Sequence, residues 1–127
     1  MELVNKCMCG NEFHIDVGDS IWNGTYRWYV SYHCNKCEKN TEVDGYGIDS
    51  IPDDIKTLII KKEGEWGLIS VSSKVKIKYL MNKIFQLKCK RFSEDIFWVG
   101  TQNQVKFVKN LLLEKGIVED ALIIEKL

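Results

Sequence analysis

A chain of 127 residues, 45% hydrophobic and 11% aromatic, has enough apolar side chain to bury the core of one ordinary domain or two small ones. No stretch approaches the ~20 apolar residues of a membrane span, and "MELVNKC" lacks the basic start and apolar core of a secretory signal, so a cytoplasmic protein with no membrane partner is expected. The formal charge of zero conceals a division: residues 1–65 hold 12 acidic and 7 basic side chains, whereas residues 66–127 hold 6 and 11, a split that can steer partners or draw the two halves together.

Taken in chain order, the first feature is the pair Cys7 and Cys9, followed by Gly10. "EFHIDV" then alternates, with Phe13, Ile15 and Val17 on one side, the period of a half-buried strand. "IWNGTYRWYVSYH" reads as a hairpin turning at Asn23-Gly24, because a two-residue type I′ turn needs positive φ at both central positions. Trp22, Tyr26, Trp28, Tyr29 and Tyr32 fall on both faces of that hairpin, some for a small core and the remainder exposed. Cys34 and Cys37 follow it, and "TEVDGYG" is predicted to be a short strand running into a glycine turn.

Asp49 or Ser50 is placed to cap a helix with Pro52 in its first turn, Asp53 and Asp54 near its positive end, and Ile51, Ile55, Leu58 and Ile59 on one side; Gly64 stops it. "WGLISV" is a buried strand. Ser72 or Ser73 opens a second helix whose Ile77, Leu80, Met81 and Ile84 recur at helical spacing. Residues 87–94 read as a turn or two of helix before the strand "IFWVG". A last helix, Thr101 to Lys115, presents Val105, Val108, Leu111 and Leu112 inward and ends at Gly116, before "ALIIEKL" closes as a strand. The expected class is α+β: a small antiparallel module over residues 1–48, a connecting helical segment over 49–65, and a β-α-α-β-α-β domain over 66–127.

In a reducing compartment, paired cysteines are more often metal ligands than disulfides, and the total of five suits a disulfide framework poorly. Cys7, Cys9, Cys34 and Cys37 together offer four soft thiolates, the donor set of a tetrahedral Zn2+ ion. The hairpin between the pairs must return to where it began, so topology and spacing agree on a zinc-ribbon-like module. Gly10 lets the backbone turn around the metal, and Asn40 is its counterpart after the second pair. His14 and His33 are substitute ligands or bystanders. Such a closed shell leaves no position for substrate, so the zinc is expected to be structural, contributing on the order of 10 kcal/mol to folding. Cys89, within "KCKR", reads as a free thiol.

The stretches "KVKIKYLMNKIF" and "WVGTQNQVKFVKNLLLEKGIVEDALII" give the second half a resemblance to the C-terminal domain of the bacterial ribosomal stalk protein. In that family a lysine-bearing helix and a following glycine-leucine turn contact translation factors, which implies a translation-associated role. Ile77 and Lys78 match the helix; Met81 stands where the family usually has arginine, and "FQLKC" replaces the turn. The combination of ribbon, "SIPDDIKTLIIKKEGEWGL" and stalk-like tail also resembles small bacterial proteins, some of which serve as immunity proteins beside polymorphic secreted toxins.

Two charged surfaces are candidates for binding. Glu42, Asp44, Asp49, Asp53 and Asp54 surround Tyr46 with no basic residue between Glu42 and Asp54, a pattern suited to occluding the cationic site of a nuclease, or simply to turns and helix capping. Lys74, Lys76, Lys78, Lys83, Lys88, Lys90 and Arg91 occupy a stretch with no acid between Glu65 and Glu94, which could neutralise phosphates of a nucleic acid or form the solvated side of an amphipathic helix. The basic run is expected to lack exposed aromatics. No G-x-S-x-G, phosphate-binding glycine loop or H-E-x-x-H occurs, so a non-enzymatic protein that binds a partner, a toxin or alternatively a nucleic acid, is the expectation.

Overall fold

The alternating segments fold as the strands β1 (His14–Trp22) and β2 (Thr25–His33), paired antiparallel with Trp22 opposite Thr25. Asn23 and Gly24 close the hairpin with φ of 50° and 72°, both positive as a type I′ turn requires. A third strand, β3 (Asn40–Tyr46), pairs antiparallel with β2, giving a sheet in the order β1-β2-β3. This is a computed structural model that describes residues 6–87 and 95–127. The chain is mixed α+β and divides into two compact units, residues 1–62 and 63–127, each built on a small antiparallel sheet.

In the first unit the sheet is two-faced. Val17, Tyr26, Trp28, Val30 and Tyr32 are buried on one side, while Glu42, Asp44 and Tyr46 point to the other. Two aromatic rings are received by glycines on the neighbouring strand: a Cβ on Gly45 would stand 2.5 Å from the Trp28 ring, and one on Gly18 would stand 2.5 Å from Tyr29. Gly47, with φ of 92°, turns the chain out of β3. The helix α1 (Asp53–Glu63) buries Ile55 and Ile59 and carries Asp53 and Asp54 in its first turn, where carboxylates oppose the positive end of the helix dipole.

Ser50 does not cap α1, because its hydroxyl is used elsewhere. It accepts the Trp28 indole N–H at 2.9 Å and lies against the carbonyls of Tyr46 and Gly47, so it locks the exit from β3. The helix starts three residues later, where Lys56 N–H reaches the Pro52 carbonyl at 3.0 Å.

The second unit places β4 (Trp66–Ile69) between β5 (Ile96–Gly100) and β6 (Ile123–Lys126), both antiparallel to it. The outer strands therefore run parallel to each other, and the connection between them carries α3 (Gln102–Glu114), as parallel strands require a crossover. α3 lies against all three strands. Thr101 caps it in a reciprocal box: its hydroxyl accepts Gln104 N–H and the Gln104 side chain accepts Thr101 N–H, each at 3.0 Å. Leu68, Trp98, Val105, Val108 and Leu112 form the buried centre.

α2 (Lys74–Tyr79) continues into a π-helical turn over Leu80–Ile84. Ile77, Leu80 and Met81 are buried as the spacing predicts, but Ile84 is exposed. The reason is the wider turn: Phe85 N–H bonds the Leu80 carbonyl five residues back, which shifts the apolar stripe out of the 3.6-residue register. Leu87 takes the inward place instead. Of the helical turn expected over 87–94, Leu87 is not helical, and residues 88–94, Cys89 among them, lie outside the described residues.

Candidate functional site

Two tight backbone turns carry the four cysteines. In the first, an isolated bridge between Lys6 and Glu12 closes the loop, Cys7 N–H donates to Asn11 O at 2.8 Å and Gly10 N–H to Cys7 O at 2.9 Å. In the second, Cys34 N–H donates to Lys39 O at 2.9 Å. Gly10 has φ of 87°, but its counterpart is Glu38, with φ of 57°, and not Asn40, which is already the first residue of β3. The two turns are thus alike in needing positive φ immediately after their second cysteine, and a glutamate meets that need at a steric cost glycine avoids.

The hairpin brings these turns together. All four sulfurs lie within 4.8 Å of one another, with Cys7 and Cys37 Sγ 3.3 Å apart and Cys9 and Cys34 Sγ 3.5 Å apart. A tetrahedral ion with metal to sulfur distances of about 2.3 Å needs sulfurs about 3.8 Å apart, so the cluster could hold a metal ion. No disulfide joins these four thiols. Cys7 and Cys34 are buried while Cys9 and Cys37 face outward.

The electrostatics suit thiolates. The backbone N–H of Cys37, helped by its thiol and by the N–H of Lys36, draws the Cys34 thiol down to about 6 against the opposing effect of burial. Cys7 is likewise lowered, first by the N–H of Cys9 and then by the Cys37 thiol. At Cys37 the Lys39 N–H favours the thiolate, but the neighbouring Cys7 and Cys34 sulfurs outweigh it and push the group up to about 11. Cys7 and Cys34 thus favour the thiolate while Cys37 keeps its proton, which a divalent cation would displace. Asn11 Nδ2 lies 3.9 Å from Cys34 Sγ. His14 and His33 are paired across β1 and β2 and do not join the cluster; His33 Nδ1 is engaged by Asn40 Oδ1.

The acidic residues separate into two groups. Glu42, Asp44 and Tyr46 alternate along β3 and are all exposed on the outer side of the sheet. Asp49 lies in the turn after β3, and Asp53 and Asp54 begin α1. On the same outer side the Arg27 guanidinium lies over the Tyr46 ring at 4.8 Å and the Trp22 ring at 5.4 Å, although Trp22 and Tyr46 remain 62% and 59% exposed. This aromatic-arginine cluster depends on a register that brings residues 22, 27 and 46 together; the period-two pattern and the Asn-Gly turn were its only signals in the sequence.

Of the basic run, Lys76, Lys78 and Lys83 are exposed, whereas Lys74 holds Asp95 at 2.8 Å. Lys88, Lys90 and Arg91 lie outside the described residues. The expectation that this run lacks exposed aromatics is corrected by Tyr79, 57% exposed, with Val75 one turn before it. Both are turned outward because Ile77, Leu80 and Met81 occupy the inner side of the helix. Ile77 is fully buried. No helix among the described residues is long and apolar enough to cross a membrane. No known protein family, curated protein or solved structure matches the chain.

Proposed function

We propose that this is a non-enzymatic macromolecule-binding protein whose first unit is scaffolded by a structural Zn2+ and whose outer sheet surface captures a protein partner, an immunity protein neutralising a cognate bacterial toxin in the cytoplasm. The observation that carries the reading is the alignment of Glu42, Asp44 and Tyr46 on one exposed side of β3. Carboxylates there can stand in for phosphates at a cationic nuclease site, and an exposed aromatic supplies an anchor. The zinc assignment rests on four thiols with no nitrogen or oxygen donor joining them among the described residues, a set that favours zinc and closes the shell. The strand-helix-strand-helix-strand order of the second unit supports its likeness to a stalk C-terminal domain. Co-expression with the product of the adjacent gene tests the reading. That product should be toxic alone, harmless with this chain, and recovered in complex with it; a harmless product removes the immunity role.

The exposed Tyr79 beside Lys76 and Lys78 favours one alternative, a nucleic-acid or translation-associated role for α2. The buried Ile77 could only support such a contact from behind. Gel mobility with RNA and duplex DNA across a salt series decides it, since phosphate binding weakens steeply with salt.

A further inference from the structure

The outer edge of β3 combines two properties that the acidic pattern alone does not reveal. β3 lies at the edge of its sheet. The hydrogen bonds that bracket its ladder with β2, Gly47 N–H to Tyr26 O and Cys34 N–H to Lys39 O, put the odd-numbered residues of β3 in the bonded pairs. The even-numbered residues, Asn40, Glu42, Asp44 and Tyr46, consequently aim their N–H and C=O groups away from β2. The Tyr46 carbonyl is taken by Ser50 Oγ, which ends the free edge at that residue. The exposed acidic side chains and the unpaired backbone groups therefore belong to the same residues.

Side-chain charges define what can pair there. Glu42 and Asp44 have no ion pair among the described residues, whereas Asp16, the acid on the outer side of β1, is held by Lys62 at 3.5 Å. A second copy of β3 laid antiparallel on the first would set Glu42 against Asp44 or against itself, and like charges directly opposite are unfavourable. Acids on an edge thus prevent self-pairing while matching a strand that bears lysine or arginine at every second position.

Building on the reading of β3 as the partner-binding strand, we propose that its edge accepts an extended basic segment of the partner as a fourth, antiparallel strand, with backbone bonds supplying affinity and Glu42 and Asp44 selecting cations on alternate residues. The test uses the full chain loaded with zinc and, as probe, a short capped peptide in which lysine alternates with threonine. Binding should slow amide exchange at Asn40, Glu42, Asp44 and Tyr46. Glu42→Pro removes an outward N–H, together with the Glu42 carboxylate, without touching the bonds to β2 and should weaken the peptide about tenfold, the order expected for one hydrogen bond and one exposed charge contact. Should that variant lose its zinc, N-methylation of alternate peptide amides blocks the same pairing from the other side. The double variant Glu42→Lys with Asp44→Lys should reverse the preference to a glutamate-threonine peptide.

Absence of peptide binding, or binding with unchanged exchange at those amides, overturns strand pairing. With the adjacent gene's product as partner, neutralisation that survives Glu42→Pro but is lost in the double lysine variant also overturns it, yet leaves the acidic surface as the binding site. Neutralisation unaffected by either variant removes the surface itself.

Discussion

The thiols of Cys7 and Cys37 stand 3.3 Å apart although 30 residues separate them. Cys9 and Cys34 repeat the relationship at 3.5 Å, so each close pair joins one turn to the other. Like groups held this close, two of them buried, make sense around a cation. Protein grown with available zinc should contain one ion per chain by elemental analysis. Cys34→Ser with Cys37→Ser should lose the ion and, with it, the dispersed amide spectrum of residues 6–62, because site energies of this kind are on the order of 10 kcal/mol. Zinc-free protein that keeps that spectrum would contradict the scaffolding role.

Under conditions where the first unit stays folded after its ion is removed, zinc affinity should fall more steeply below about pH 6. With its folded value lowered to about 6 from 9.0, the Cys34 thiolate stabilises the folded turn fully above pH 9, and that contribution is lost as pH falls through 6. Cys37, pushed up to about 11, still carries a proton at neutral pH that the metal must displace. Below pH 6 the metal must displace the Cys34 proton as well. A competing chelator titrated across this range should show the slope of log affinity against pH steepening by about one proton at that point; a constant slope would show that Cys34 does not titrate there.

Gly45→Ala should destabilise the first unit by about 1–3 kcal/mol, the usual range for overpacking. The added methyl would meet the Trp28 ring at 2.5 Å, and the ring cannot retreat without breaking its 2.9 Å bond to Ser50. Urea denaturation followed by indole fluorescence measures the loss. An unchanged midpoint would mean that Trp28 has another place to go.

Tyr32→Phe should be neutral or stabilising by up to about 1 kcal/mol, since a buried hydroxyl without a partner costs its desolvation and returns nothing. Its Oη is buried with no hydrogen-bond partner among the described residues, while its ring packs edge-on to Phe13 at 5.5 Å and would be retained. Thermal melts of the two proteins side by side decide the sign.

Much of the local structure was legible because it depends on neighbours in the chain. Asn23-Gly24 marks its own turn, since few residue pairs accept positive φ twice. Thr101 and Gly116 bound α3 because capping chemistry acts over three or four residues. Where the reading slipped, the cause lay outside residue preference. Ser50 looked like a helix cap but is held by Trp28, 22 residues earlier. The helical stripe through Ile84 failed because a π-helical turn changes the period, and nothing in Leu80 to Ile84 announces it. Positive φ fell on Glu38, directly after Cys37, and passed over Asn40, which is already paired as the first residue of β3.

By itself the sequence determined the α+β class, the positions of most strands and helices, and the identity of the four thiol donors, since these follow from period, turn chemistry and ligand type. Only the tertiary structure decided that Lys74 is engaged with Asp95, that Arg27 lies over both Trp22 and Tyr46, and that the free backbone of β3 belongs to its acidic residues. Those outcomes depend on strand register and on which strand is left at the edge, and both are set by pairing between segments far apart in the chain, where local preference carries no information.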